Sequence, residues 1–261
     1  MMAPRLTPAV RAILVGSVFL FLIQQVGDQF FHLGIAQHLG LVPHGFLKQL
    51  KLWQIVTYSL LHGDLFHILF NMLMLVFLGS ELEGIWGTRR FLRYYLVSLV
   101  TGGLFYLFLS VLVWRGADTM QTPLVGASAG LYGLLGAYGI LFSERSLLFM
   151  MLFPLRAKHF VILLGSIELF STVFSPRGGL SGVAHLGGLV AGIAQLWLEA
   201  RWRIIQRSDR GATGFGIGRF KTGNRRSKSQ HLKLVVNRDP KKSTSEDDED
   251  PSGRTGPRTW H

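Results

Sequence analysis

The sequence predicts an all-α membrane protein, a bundle of six transmembrane helices. Three observations lead there. Of its 261 residues 49% are hydrophobic and only 16% charged, with a mean hydropathy of +0.33, whereas soluble domains carry about a quarter charged residues. Six apolar runs approach the roughly 20 residues that a helix needs to cross the hydrocarbon core. Lys and Arg are dense in alternate loops, as expected when successive spans reverse direction.

The runs cover residues 10–26, 67–85, 91–113, 125–142, 157–174 and 182–200. Each should be helical, because backbone polar groups in lipid must be satisfied within the segment. The first follows Arg5 and Arg11 and starts like a secretory signal peptide. No small-x-small cleavage pattern closes it and further apolar runs follow, so it reads as the first span. The fourth to sixth runs are rich in Gly and Ala, which lets backbones approach closely, and they are expected to form the inner part of the bundle.

If six spans alternate, one side receives Arg5, Arg11, Arg89, Arg90, Arg93, Arg145, Arg156, Lys158, Arg201, Arg203, Arg207 and Arg210. The other receives Lys48, Lys51, Arg115 and Arg177. That bias predicts an integral protein of the cell (inner) membrane with both termini cytoplasmic. The net charge of +12 is no sign of a nucleic-acid partner, since 15 of the 27 Lys and Arg lie from Arg201 onward. The charge divides the chain into a membrane domain, 1–204, and a basic then acidic cytoplasmic tail, 205–261. The tail has too few apolar residues to bury a core and is expected to be disordered. Residues 231–236 form an apolar patch within it, and the basic stretch 219–242 should be drawn to anionic membrane lipids. There is no cysteine, which excludes disulfides, thiolate catalysis and Cys-ligated metals.

Two connections are more than turns. Residues 28–66 are too many for an ordinary loop and include an amphipathic, aromatic-rich stretch. Trp53 and Tyr58 suit the headgroup layer. Residues 146–153 are apolar but too short to span, are stopped by Pro154, and should fold back at the cytoplasmic surface.

The polar residues within the spans carry the chemistry. Gly126, Ala127, Ser128, Ala129 and Gly130 match G-x-S-x-G literally, but the soluble nucleophile elbow needs a strand before it and an alternating βα chain around it. In a helical bundle the same residues permit a tight turn, with Ser128 in the first turn of span four. Backbone N–H groups there are free to stabilise an oxyanion. His185 opens span six, and Gly188 and Gly192 after it form a small face that allows contact with the stripe Ala129, Gly133 and Ala137. Spans four and six start on the same side, so Ser128 and His185 lie at similar depth. An ionisable residue inside a span is costly and is a functional candidate. His67 and Asn71, at i and i+4 on span two, share one helix face at the same end. Both can donate to an oxyanion.

Together these residues resemble the rhomboid family of intramembrane serine proteases. The resemblance rests on H-x-x-x-N in span two, G-x-S in span four and A-H-x-x-G in span six. It implies a rhomboid-like six-helix core opening to the extracytoplasmic side, with Ser128 as nucleophile and His185 as general base and then acid. It implies an oxyanion site of Asn71, His67 and the Ser128 amide, with Gly126 supporting the turn and Tyr132 packed on the His185 ring. Substrates would be transmembrane proteins, and no cofactor or metal is called for. Two residues depart from the family pattern. Ala129 follows the serine where glycine is common, and Trp53-Gln54 stands where Trp-Arg is usual, which puts the anchoring of the first loop by arginine in question. Glu83 matches a structural family glutamate.

No H-E-x-x-H and no intramembrane Asp pair are present, which disfavours metal and aspartyl proteolysis. The rival reading is a catalytically inactive rhomboid-like protein that binds client helices; a transporter comes third. Glu168, in span five, is expected at mid-membrane rather than beside His185, as a structural residue.

Overall fold

A computed structural model describes residues 5–113, 116–149, 153–174 and 179–212. The chain divides into two units, Met1–Gly214 and Phe215–His261; the second, with the expected tail patch at 231–236, lies outside the described residues. Six principal helices follow in order: α1 (Pro8–Phe30), α2 (Leu65–Trp86), α3 (Thr88–Leu112), α4 (Ser128–Leu141), α5 (Ala157–Phe174) and α6 (Gly179–Ala212). The last runs beyond residue 204, because Arg201–Ala212 continues the helix after the apolar pattern has faded.

Helix ends are fixed by distant as well as local partners. Pro8 starts α1, and its orphan amides are met from α2: Glu83 accepts from Ala9 N at 2.9 Å and Val10 N at 3.0 Å. Thr7 and Thr88 donate their hydroxyls to the same carboxylate. An anion at a helix N-terminus is favoured by the helix dipole, so Glu83 joins α1, α2 and the start of α3. Asp64 caps α2, accepting from His67 N at 2.9 Å.

Among the described helices, five are long and apolar enough to cross a membrane. The exception is α4, with 14 residues, or about 21 Å at 1.5 Å per residue. It is shorter than the expected 125–142 because Gly126 adopts φ +125 and leaves the helix, while Leu124 pairs with Leu41 through reciprocal hydrogen bonds of 2.9 and 3.0 Å. Every residue from Ser128 to Tyr138 is buried. The helix is walled by protein, and non-helical backbone at membrane depth is tolerated where protein encloses it.

The inner layer differs from expectation. The helices packed most closely are α3, α4 and α6, whereas among its described residues α5 buries only Ala157. Ile162, Ile167, Leu169, Phe170 and Val173 of α5 are exposed, bulky residues suited to lipid. The α4–α6 contact is the expected one. A Cβ at Gly188 would overlap the carbonyl of Ala129, and one at Gly192 that of Gly133.

The loop between α1 and α2 contains short helical turns at Ile35–Leu39, Pro43–Lys48, Gln54–Thr57 and Tyr58–Leu60. Gln54 anchors it: fully buried, it accepts from Val42 N at 3.2 Å and donates to the carbonyls of Gln37 and His38, both at 3.2 Å. Trp53 is half-exposed and donates its indole N–H to the His38 carbonyl. Tyr58, expected at the headgroups, instead belongs to the core, where its hydroxyl reaches the Leu99 carbonyl of α3 at 2.8 Å. The apolar run after α4 forms a hairpin, β1 (Ser146–Phe149) antiparallel to β2 (Phe153–Arg156), with Ser146 opposite Arg156.

Candidate active site

Two turns of backbone bring the pair together. Ser128 is the first residue of α4 and is buried; His185 lies six residues into α6. Ser128 Oγ and His185 Nε2 are 2.6 Å apart. The approach to Ser128 requires glycine at 126 twice over. Its φ of +125 is one that L side chains avoid, and a Cβ would stand 2.8 Å from His67 Nε2. Its amide donates to the Tyr58 carbonyl at 2.9 Å, tying the serine turn to the first loop.

Tyr132, one turn after Ser128, stacks on His185 with ring centroids 4.7 Å apart and planes 4° from parallel. His67 lies against Gly126 and edge-on to His62, centroid to centroid 5.2 Å. Asn71 sits one helical turn further along α2, buried, with its amide nitrogen unpartnered among the described residues. Ser128, His185, Tyr132, Gly126 and His67 thus form one cluster, with Asn71 below His67 on the same helix face. A cavity of about 260 Å³ beside it is lined by His67, Tyr106, Thr122, Leu124 and Leu180. Ala129 fits without distortion because α3 offers Gly102 opposite its methyl.

The position of Glu168 corrects the sequence reading. Its Oε1 is 2.9 Å from His185 Nδ1 and accepts the Tyr132 hydroxyl at 2.7 Å. The contact with Nδ1 is close but lies off the axis of an aligned hydrogen bond. Depth counted from the start of α5 put Glu168 near mid-membrane. Counted from the facing ends of α5 and α6, Glu168 lies six residues before Phe174 and His185 six residues after Gly179, so the two are level.

His62, just before α2, was not singled out in the sequence. It is fully buried with both ring nitrogens unpartnered among the described residues. Burial, and then the neighbouring His67, push its pKa down to about 4.

The fold and the cluster define an integral membrane protein with a buried serine–histidine contact between two of its inner helices. The chain belongs to the rhomboid family: the Rhomboid domain matches residues 49–202. It is 28% identical over 211 residues to the Rhomboid protease GlpG of Pectobacterium atrosepticum, covering 77% of this chain and 65% of that one. It is 30% identical over 150 residues to "Rhomboid protein 1, mitochondrial" of Saccharomyces cerevisiae, covering 57% and 42%. With the Rhomboid protease GluP of Bacillus subtilis the identity is 28% over 153 residues, covering 59% and 27%. The matched region spans less than two thirds of each of these relatives.

Proposed function

We propose that this protein is a serine endopeptidase that cleaves single-span membrane proteins within or next to their transmembrane segment. The observation that carries the reading is the 2.6 Å contact of Ser128 Oγ with His185 Nε2. Relatives named as rhomboid proteases support it.

In this chemistry Ser128 Oγ attacks the substrate carbonyl and its proton moves to His185 Nε2. The oxyanion meets the Ser128 amide, Asn71 and His67, each donor worth a few kcal/mol. The unpartnered amide of buried Asn71 suits a donor whose acceptor arrives with the reaction. The C–N bond breaks as His185 returns the proton to the leaving amine. Water, losing a proton to His185, then attacks the acyl carbon; the ester C–O bond breaks and His185 passes the proton to Ser128 Oγ, restoring the serine. The substrate must present an unwound segment, since a helix keeps its carbonyls in its own hydrogen bonds.

The protein would sit in the cell (inner) membrane with both termini cytoplasmic, and the basic stretch 219–242 beyond α6 would be drawn to anionic lipid. A catalytically inactive protein binding client helices is the rival; it has no need of a serine and an imidazole nitrogen within hydrogen-bond distance. The deciding experiment compares wild type and Ser128→Ala in membranes on a panel of single-span substrates. Fragments from wild type and none from the variant are expected, together with loss of fluorophosphonate labelling. The same fragments from both would end the protease reading.

A further inference from the structure

We propose that Glu168 is a positioning residue for His185, adding a third member to the serine–histidine pair; this rests on the protease reading above. Two contacts converge on one carboxylate oxygen: Glu168 Oε1 is 2.9 Å from His185 Nδ1 and 2.7 Å from the Tyr132 hydroxyl. Tyr132 also stacks face to face on the imidazole. The ring is therefore held by an anion at its edge and an aromatic on its face, and the two holders are bonded to each other.

The chemistry follows from the number of ring protons. A neutral imidazole carries one N–H, on either nitrogen. With Glu168 ionised beside Nδ1, the proton belongs on Nδ1, because the other tautomer would set a lone pair against an anion. Nε2 is then bare, and Nε2 is the nitrogen facing Ser128 Oγ at 2.6 Å. When the serine proton arrives on Nε2, the imidazolium faces the carboxylate, which stays ionised while the proton passes on to the leaving amine.

The surrounding helices leave room for this acid. Gly182 precedes His185 by three residues, and a Cβ there would stand 3.0 Å from Glu168 Oε2. The neighbours of Glu168 on α5, Ile167 and Leu169, are exposed, so the one acidic side chain on this stretch is turned inward. An acid within a span is expensive to keep. Among the described residues, the other titratable groups facing the ring are Tyr132 from α4 and His67 from α2.

The test uses the full chain in bilayers with a single-span substrate. Glu168→Gln keeps the side chain's size and its acceptor for Tyr132 while removing the charge. The expected result is a kcat lowered roughly 10–100-fold, less than the loss in soluble triads because Tyr132 still holds the ring. KM should hold within about two-fold, since substrate binding is untouched. The acidic limb of the kcat/KM profile should move to lower pH, because removing an anion disfavours the protonated ring. A purely structural role would leave that limb in place. In the unmodified protein, nitrogen NMR of His185 should find the neutral ring protonated on Nδ1, a readout that needs no folded variant. Wild-type kcat with an unmoved pH profile in Glu168→Gln, or an Nε2–H tautomer in the unmodified protein, overturns the proposal and leaves the protease reading intact. Activity that survives Ser128→Ala overturns that reading instead.

Discussion

Gln24 of α1 and His62 of the loop before α2 are joined by two buried hydrogen bonds. The Gln24 side chain donates to the His62 carbonyl at 3.1 Å and accepts from the His62 amide at 3.2 Å. One side chain thus satisfies both backbone polar groups of a residue that no helix serves. Gln24→Leu, of similar volume, orphans both. Each buried unsatisfied group costs about 1–3 kcal/mol, so a loss of roughly 2–6 kcal/mol is expected. Thermal unfolding in detergent, followed by circular dichroism, should give a clearly lower midpoint; an unchanged midpoint would refute the assignment.

The same His62 makes stability depend on pH. Its folded pKa of about 4 lies below the ordinary 6.5. Above 6.5 the ring is neutral whether the chain is folded or not, and stability is full. As pH falls from 6.5 towards 4, the unfolded chain takes up a proton that the folded site refuses, and stability declines. Below about 4 both states hold the proton and this contribution levels off. His62→Gln should flatten the decline between pH 6.5 and 4; a slope equal to that of wild type would count against it.

Packing between α4 and α6 gives a third expectation, through a pair of matched glycine substitutions. Gly188→Ala drives a methyl into the Ala129 carbonyl, and overpacking of this kind costs about 1–3 kcal/mol. It also moves His185 away from Ser128, so activity should fall together with the melting temperature. Gly16→Ala in α1 meets nothing within 4 Å and should stabilise the helix by about 0.5–1 kcal/mol. Equal midpoints for the two variants would contradict the close α4–α6 contact.

Much of this was legible in the sequence, for identifiable reasons. Ser128, His185, His67 and Asn71 stand out because polar side chains are rare in apolar runs, and the glycines beside two of them announce close backbones. Glu168 carries the same signal, but its depth is legible only from the end of α5 that faces α6. Tyr58 was misread because an aromatic ring with a polar tip suits a headgroup layer and a buried hydrogen bond equally well. The short α4 was hidden because Leu124 and Val125 are as apolar as the helix that follows, and only the φ of Gly126 separates them. The hairpin β1–β2 had no alternation to mark it, and apolar runs of that length fit either a strand or a helix. The inner role of α3 was missed since its Ser98, Gly102 and Gly103 are spread among bulky residues.

The enclosure of α4 bears on how the protein responds to the bilayer itself. Outer helices facing lipid accommodate a thicker or thinner membrane by tilting, at fractions of a kcal/mol per Å of mismatch. Over Ser128–Tyr138 the helix presents no surface on which that mismatch can act; its far end, at Ile140 and Leu141, is exposed. The depth of Ser128 is therefore set by its protein neighbours, which makes it a fixed landmark in membranes of different thickness.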